Sequence, residues 1–215
     1  MERSGLNLLG YFKERRVLTN RGFTLVELMI ALVVAAILYA LAAPTLTAWI
    51  ADSRVRVTAE SIQTGIFLAR TEAIRRNATV RFQLTDGVDN TCALTSTGTS
   101  WVVSQNDATA KCGVAPSDIT DPRIVQLRSG REGGAMVTVS AVSGGAGATT
   151  IIFNGTGRIA VAGFIDTIDI GNPSAGTCQH SGGDIRCLRI RILPGGDSRI
   201  CDPKVVDVND LRRCP

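Results

Sequence analysis

Four groups of residues in this 215-residue chain could do chemistry: one histidine, six cysteines, a C-terminal run of arginines and a lone glutamate beside a charge-free stretch. His180 sits in a Gly-rich segment with no serine or cysteine elbow around it, so nucleophilic and acid–base catalysis lack their components. The segment Cys178-Gln179-His180 with Cys187 offers three zinc donors, but the spacing matches no usual structural site and a disulfide accounts for both thiols. Gly155-Thr156-Gly157 lacks the third glycine and the strand–helix frame of a dinucleotide site, and no Walker-type phosphate loop occurs. No catalytic residue, metal or cofactor is therefore expected.

The glutamate is Glu27. From Leu28 through Ile50 the chain carries no charge, and a helix of that run is long enough for a hydrocarbon core of about 30 Å. A carboxylate at membrane depth costs on the order of 3 kcal/mol unless it finds a partner. Before it lies a basic leader, Met1 to Gly22, in which Arg3, Lys13, Arg15, Arg16 and Arg21 outweigh Glu2 and Glu14. A secretory signal places its apolar region ahead of the cleavage site, whereas here the apolar run follows Gly22 and would survive cleavage. Cutting after Gly22 frees an amine on Phe23, one helical turn from Glu27.

The stretch Arg21-Gly22-Phe23-Thr24-Leu25-Val26-Glu27, with Pro44 inside the following run, resembles the type III signal of type IV pilins and type II secretion pseudopilins. That resemblance implies a prepilin peptidase that cleaves after Gly22 and N-methylates Phe23. It also implies that Glu27 meets the N-terminal amine of a neighbouring subunit, with other major and minor pilins as partners. The leader's positive charge keeps the N-terminus cytoplasmic, giving a single-pass inner-membrane protein whose C-terminal domain is periplasmic and enters a fibre or pilus tip on assembly.

That orientation puts Cys92, Cys112, Cys178, Cys187, Cys201 and Cys214 in an oxidising space, where an even count reads as disulfides. Six cysteines allow 15 connectivities. Their order favours local closure, Cys92 with Cys112, Cys178 with Cys187 and Cys201 with Cys214, although the polar run 91–113 gives no independent sign of where its ends meet.

Past Ile50 the helical pattern becomes amphipathic. Val55, Ala59, Ile62, Ile66, Ala69 and Ala73 recur at steps of four and three, while Arg54, Arg56, Glu60, Arg70, Arg75 and Arg76 fall mostly off that stripe. One helix is expected from the leader junction to about Arg76, kinked or loosened at Pro44, which removes a backbone donor. Beyond Asn77 the period falls to two. Strands are expected at 80–84, 101–104, 124–127, 136–142, 150–153, 165–170, 186–193 and 198–201, with a hairpin turn at Asn154-Gly155-Thr156-Gly157 and loops at 144–147 and 171–183. The fold class is α+β, a long pilin-type helix packed on a mainly antiparallel sheet domain. The divisions expected are leader 1–22, transmembrane half 23–51, amphipathic half 52–78 and periplasmic β domain 79–215.

This layout is similar to the GspH/FimT branch of minor pilins and pseudopilins, and the tail segments 187–192 and 195–203 resemble the close of FimU-type minor pilins. The resemblance implies a structural subunit that helps prime a type IV pilus and sits near its tip. A type II secretion pseudopilin and a DNA-receptor minor pilin are the alternatives. Arg189, Arg191 and Arg199 are the candidate contacts to a partner or to DNA phosphates. Between Cys178 and Pro215 seven basic residues face five aspartates, an excess of two that favours protein partners over DNA. DNA receptors of the FimT type carry Gly-Arg-x-Arg here; this chain has Gly196-Asp197-Ser198-Arg199.

Overall fold

The structure is a computed structural model that describes residues 22–133 and 136–214, apart from the side chains of 41–45 and 132–133. Most of the expected leader lies outside the described residues, and the expected kink falls on Pro44, whose side chain is also outside them. The chain divides into two compact units between Ala42 and Ala43. Helix α1, Leu25–Arg76, runs through the division.

In the first unit the helix shows solvent-exposed Leu28, Met29, Ile30, Leu32, Val33, Ile37 and Leu38. Among the described residues no helix is long and apolar enough to cross a membrane.

The second unit holds the core. Val55, Ala59, Ile62, Ile66, Ala69 and Ala73, the stripe legible in the sequence, are all buried against strands. Small residues let the helix lie close: a Cβ on Gly65 would come within 2.9 Å of Phe82 and 3.0 Å of Trp101. Those rings pack tilted with centroids 6.1 Å apart, and the Trp101 indole N–H donates to Ser61 Oγ at 3.1 Å. The helix stops at Asn77, which takes a left-handed φ of 46° while the Ala78 N–H bonds back to Ala73.

Among the described residues nine strands follow: β1 Val80–Thr85, β2 Ser100–Ser104, β3 Ile124–Arg128, β4 Thr138–Ser143, β5 Ala146–Gly147, β6 Thr150–Phe153, β7 Thr167–Gly171, β8 Leu188–Ile192 and β9 Ser198–Cys201. They form two antiparallel sheets, ordered β3-β2-β1-β6 and β5-β4-β7-β8-β9. The α+β class holds, with one main core cluster contributed by both sheets and the helix.

Two local expectations change. Residues 144–147, read as a loop, contain a tight hairpin: Gly144 and Gly145 have φ of 56° and 93°, and Ser143 pairs with Ala146. Two successive positive φ values are what a two-residue β-turn needs, and glycine supplies them without a Cβ clash. The turn at 154–157 reverses the chain but closes only a single bridge, Phe153 to Ile159. There Gly157 alone takes positive φ, and the chain then crosses to the second sheet at β7.

Candidate assembly and processing surfaces

At the start of α1, Gly22, Phe23 and Thr24 are non-helical and exposed. Thr24 occupies the cap position: its carbonyl accepts the Leu28 N–H at 3.1 Å and its hydroxyl accepts the Glu27 N–H at 3.2 Å. Thr24-Leu25-Val26-Glu27 thus has the spacing of a capping box, with an acid in the first turn where the helix dipole favours it. The capping bond uses the Glu27 backbone. Its carboxylate has no partner among the described residues.

Disulfides join Cys92 to Cys112, Cys178 to Cys187 and Cys201 to Cys214. The first covers the outer face of β2: Cys92 and Cys112 pack with Val102, Ala108 and Ile124 in a small second cluster, so every residue of β2 is buried. The second occupies both thiols of the zinc alternative, with His180 exposed in the turn Gln179–Ser181 beside it. The third closes a loop on which Val206, Val208 and Leu211 stand exposed.

The arginine-rich strand keeps the alternation legible in its sequence, and the structure adds the partners of its arginines. Leu188, Ile190 and Ile192 point into the core, leaving Arg189 and Arg191 on the outer face of β8. Arg189 lies directly opposite Asp169 of β7 and grips it with two hydrogen bonds, at 2.6 and 3.0 Å. That fork holds the guanidinium's proton more firmly than usual, through the hydrogen bond to Asp169 above all. Arg191 donates to Thr167 Oγ1 and lies 4.0 Å from Asp166. Arg186 pairs with the buried Asp202 at 2.9 Å and Arg212 with Asp210 at 2.7 Å. Arg199, opposite Arg191 on β9, is exposed and has no side-chain partner among the described residues.

Residues 18–43 match the prokaryotic N-terminal methylation motif, which takes in Gly22, Phe23 and Glu27. Residues 58–196, well over half the chain, match the family of the type II transport protein GspH. The chain belongs to the GspH family. Two crystal forms of the Pseudomonas aeruginosa type IV minor pilin FimU are similar in fold at 15% and 14% identity, with TM-scores of 0.41 and 0.39. The matches cover 68% and 67% of this chain and 87% and 90% of those chains, a likeness too weak to separate one pilin-like subunit from another. No curated protein matches the chain.

Family and fold are thus those of structural pilin-like subunits. In this GspH-family chain the stretch Gly196-Asp197-Ser198-Arg199 straddles the end of the family match. Asp197 is committed to structure there, because its carboxylate pairs with Arg70 of α1. Sequence reasoning did not find Asp169, Asp202 or Asp197 as arginine partners. The alternation along β8 put Arg189 on an outward face, but which strand lay beside it was not legible.

A groove of about 630 Å³ is lined by Trp49, Arg56 and Glu60 of α1, Leu188 of β8, Ile200 of β9 and Arg212 among others. Its charges are largely mutual: Arg56 pairs with Glu60, and Asp52 accepts the Arg186 backbone N–H at 2.8 Å.

Proposed function

We propose that this GspH-family chain is a minor pilin of FimU type, a non-enzymatic subunit that helps prime assembly of a type IV pilus and sits near its tip. The observation that carries the reading is the combination of a prepilin methylation motif with a GspH-type β domain on one long helix. Residues 1–22 are the leader, removed by a prepilin peptidase that then methylates Phe23. Residues 23–51 anchor the subunit in the inner membrane, 52–78 carry the periplasmic β domain 79–215, and Glu27 pairs with a neighbour's N-terminal amine during extraction. An exposed carboxylate with no partner among the described residues suits that role. Other major and minor pilins are the partners, through an outer face that includes Arg189, Arg191 and Arg199.

The family's own description, a type II transport protein, favours a second reading as a secretion pseudopilin. Deleting the gene separates the two: loss of surface pili with secretion intact supports the pilus, and retained secretory substrate with normal pili supports the secretion machine. A DNA-receptor role is less favoured, because Asp197 stands where such receptors carry an arginine and most basic groups nearby are already paired.

A further inference from the structure

The outer face of the five-stranded sheet contains one electrostatic arrangement that does not serve the fold. Arg191 of β8 and Arg199 of β9 are direct cross-strand partners, so their side chains leave the same face at neighbouring positions. Like charges placed directly opposite destabilise a sheet, and either position could hold a neutral or acidic residue without touching the core. One position away, the opposition of Arg189 and Asp169 shows the complementary arrangement on the same face. Arg191 leans the other way, toward Thr167 and Asp166 of the β7 side, and its Nε is buried without an acceptor. Arg199 is left outermost with no side-chain partner among the described residues.

We propose that Arg199, backed by Arg191, is the docking point for a single carboxylate on a neighbouring pilin subunit of the same fibre. The inference rests on the pilin reading and specifies one contact in it. Charge complementarity selects the occupant. The local excess is small, since Asp169 and Asp166 sit on the same strip, and this suits one bidentate acid rather than a run of phosphates, which needs an extended basic track. Arg199 presents the planar fork that a carboxylate matches, and a carboxylate there would also offset the repulsion between the two guanidiniums.

The test uses the full chain in detergent, with the purified major pilin of the same fibre as one probe and a short duplex DNA as the other. Arg199→Glu should weaken retention of the pilin about tenfold, Arg199→Lys less, and Arg131→Glu, in the turn between β3 and β4, not at all. Because the glutamate would face Arg191, the Arg199→Glu chain should melt no lower than wild type; a residue kept only for the fold would behave oppositely. Unchanged pilin retention by Arg199→Glu overturns the proposal, as does a loss of retention that simply follows a lower melting temperature. Tight DNA binding lost on the same substitution, with pilin retention intact, would replace the carboxylate by a phosphate. A wild-type chain that retains no pilin would overturn the pilin reading itself, a result distinguishable from a failure at Arg199 alone.

Discussion

The Arg70 guanidinium of α1 binds the Asp197 carboxylate in the β8–β9 turn, across a separation of 127 residues, and also donates to the carbonyls of Gly157 and Gly195. One side chain thus ties two turns to the helix. The carboxylate is largely exposed while the arginine is not. An exposed ion pair is worth about 0–1 kcal/mol, whereas carbonyls that lose a charged donor cost more. Arg70→Ala should therefore lower stability by about 1–2 kcal/mol and Asp197→Ala by less than about 1 kcal/mol, measured by urea unfolding of the full chain. The reverse ranking would mean that the carbonyl contacts contribute little.

Maturation should begin the chain at Phe23, methylated, as read by N-terminal sequencing and mass. Gly22 is exposed, and an added Cβ would meet nothing within 4 Å, so the chain itself accommodates a larger residue there. Gly22→Leu should leave the leader attached because the peptidase rejects it. Normal processing of that variant would remove Gly22 from the cleavage site.

Thr24 caps α1 through the Glu27 backbone N–H, so Glu27→Ala keeps the cap and deletes only the carboxylate. Membrane insertion should become easier by up to about 3 kcal/mol while incorporation into fibres falls. Quantifying the variant in sheared fibres against the membrane fraction tests this. Equal incorporation would eliminate the pairing with a neighbour's amine. Thr24→Ala, by contrast, should fray the first turn at a cost of about 1 kcal/mol with the carboxylate intact.

How much of this was legible follows the range of the interactions. The buried stripe from Val55 to Ala73 and most strands could be read because helical and strand periods are local properties of the sequence. The division into two sheets could not, since only the partners of each strand decide it. The hairpin at Gly144-Gly145 was hidden by a β5 of just two residues, Ala146–Gly147, too short to show a period. At the arginine face the alternation placed Arg189 outward, but its pairing with Asp169 depends on β7 lying beside β8, a relation between residues 20 apart through an intervening loop. Substituting Arg189 and Arg191 together would therefore mix a fold effect with a contact effect, which is why Arg199 is the cleaner probe.

The three disulfides should appear as local pairs in peptide maps made without reduction, and their removal should differ in cost. Each is expected to contribute about 2–4 kcal/mol through loop closure. Cys92–Cys112 also packs into the cluster over Val102 and Ile124, whereas the loop closed by Cys201–Cys214 exposes Val206, Val208 and Leu211. Replacing the first pair with alanine should cost more than replacing the last. Free thiols at Cys178 and Cys187 together with bound zinc would restore the metal alternative.

Acid should weaken the end of α1. Glu72 is held at a pKa of about 2, against an ordinary value of 4.5, by its hydrogen bonds first to Arg75 and then to Arg76, which outweigh the opposing effect of burial. Arg76 extends the cluster to Asp118 in the loop before β3, so this network anchors that loop to the helix. A carboxylate whose pKa is lowered in the folded state stabilises it fully above the unfolded value, and the contribution disappears as pH falls through the folded value. Stability of the full chain should therefore decline between about pH 4.5 and pH 2 in a component that Glu72→Gln abolishes, leaving a flatter but lower curve. Melting temperatures of both chains across that range decide it: parallel curves would mean that the Glu72 network contributes nothing to acid sensitivity.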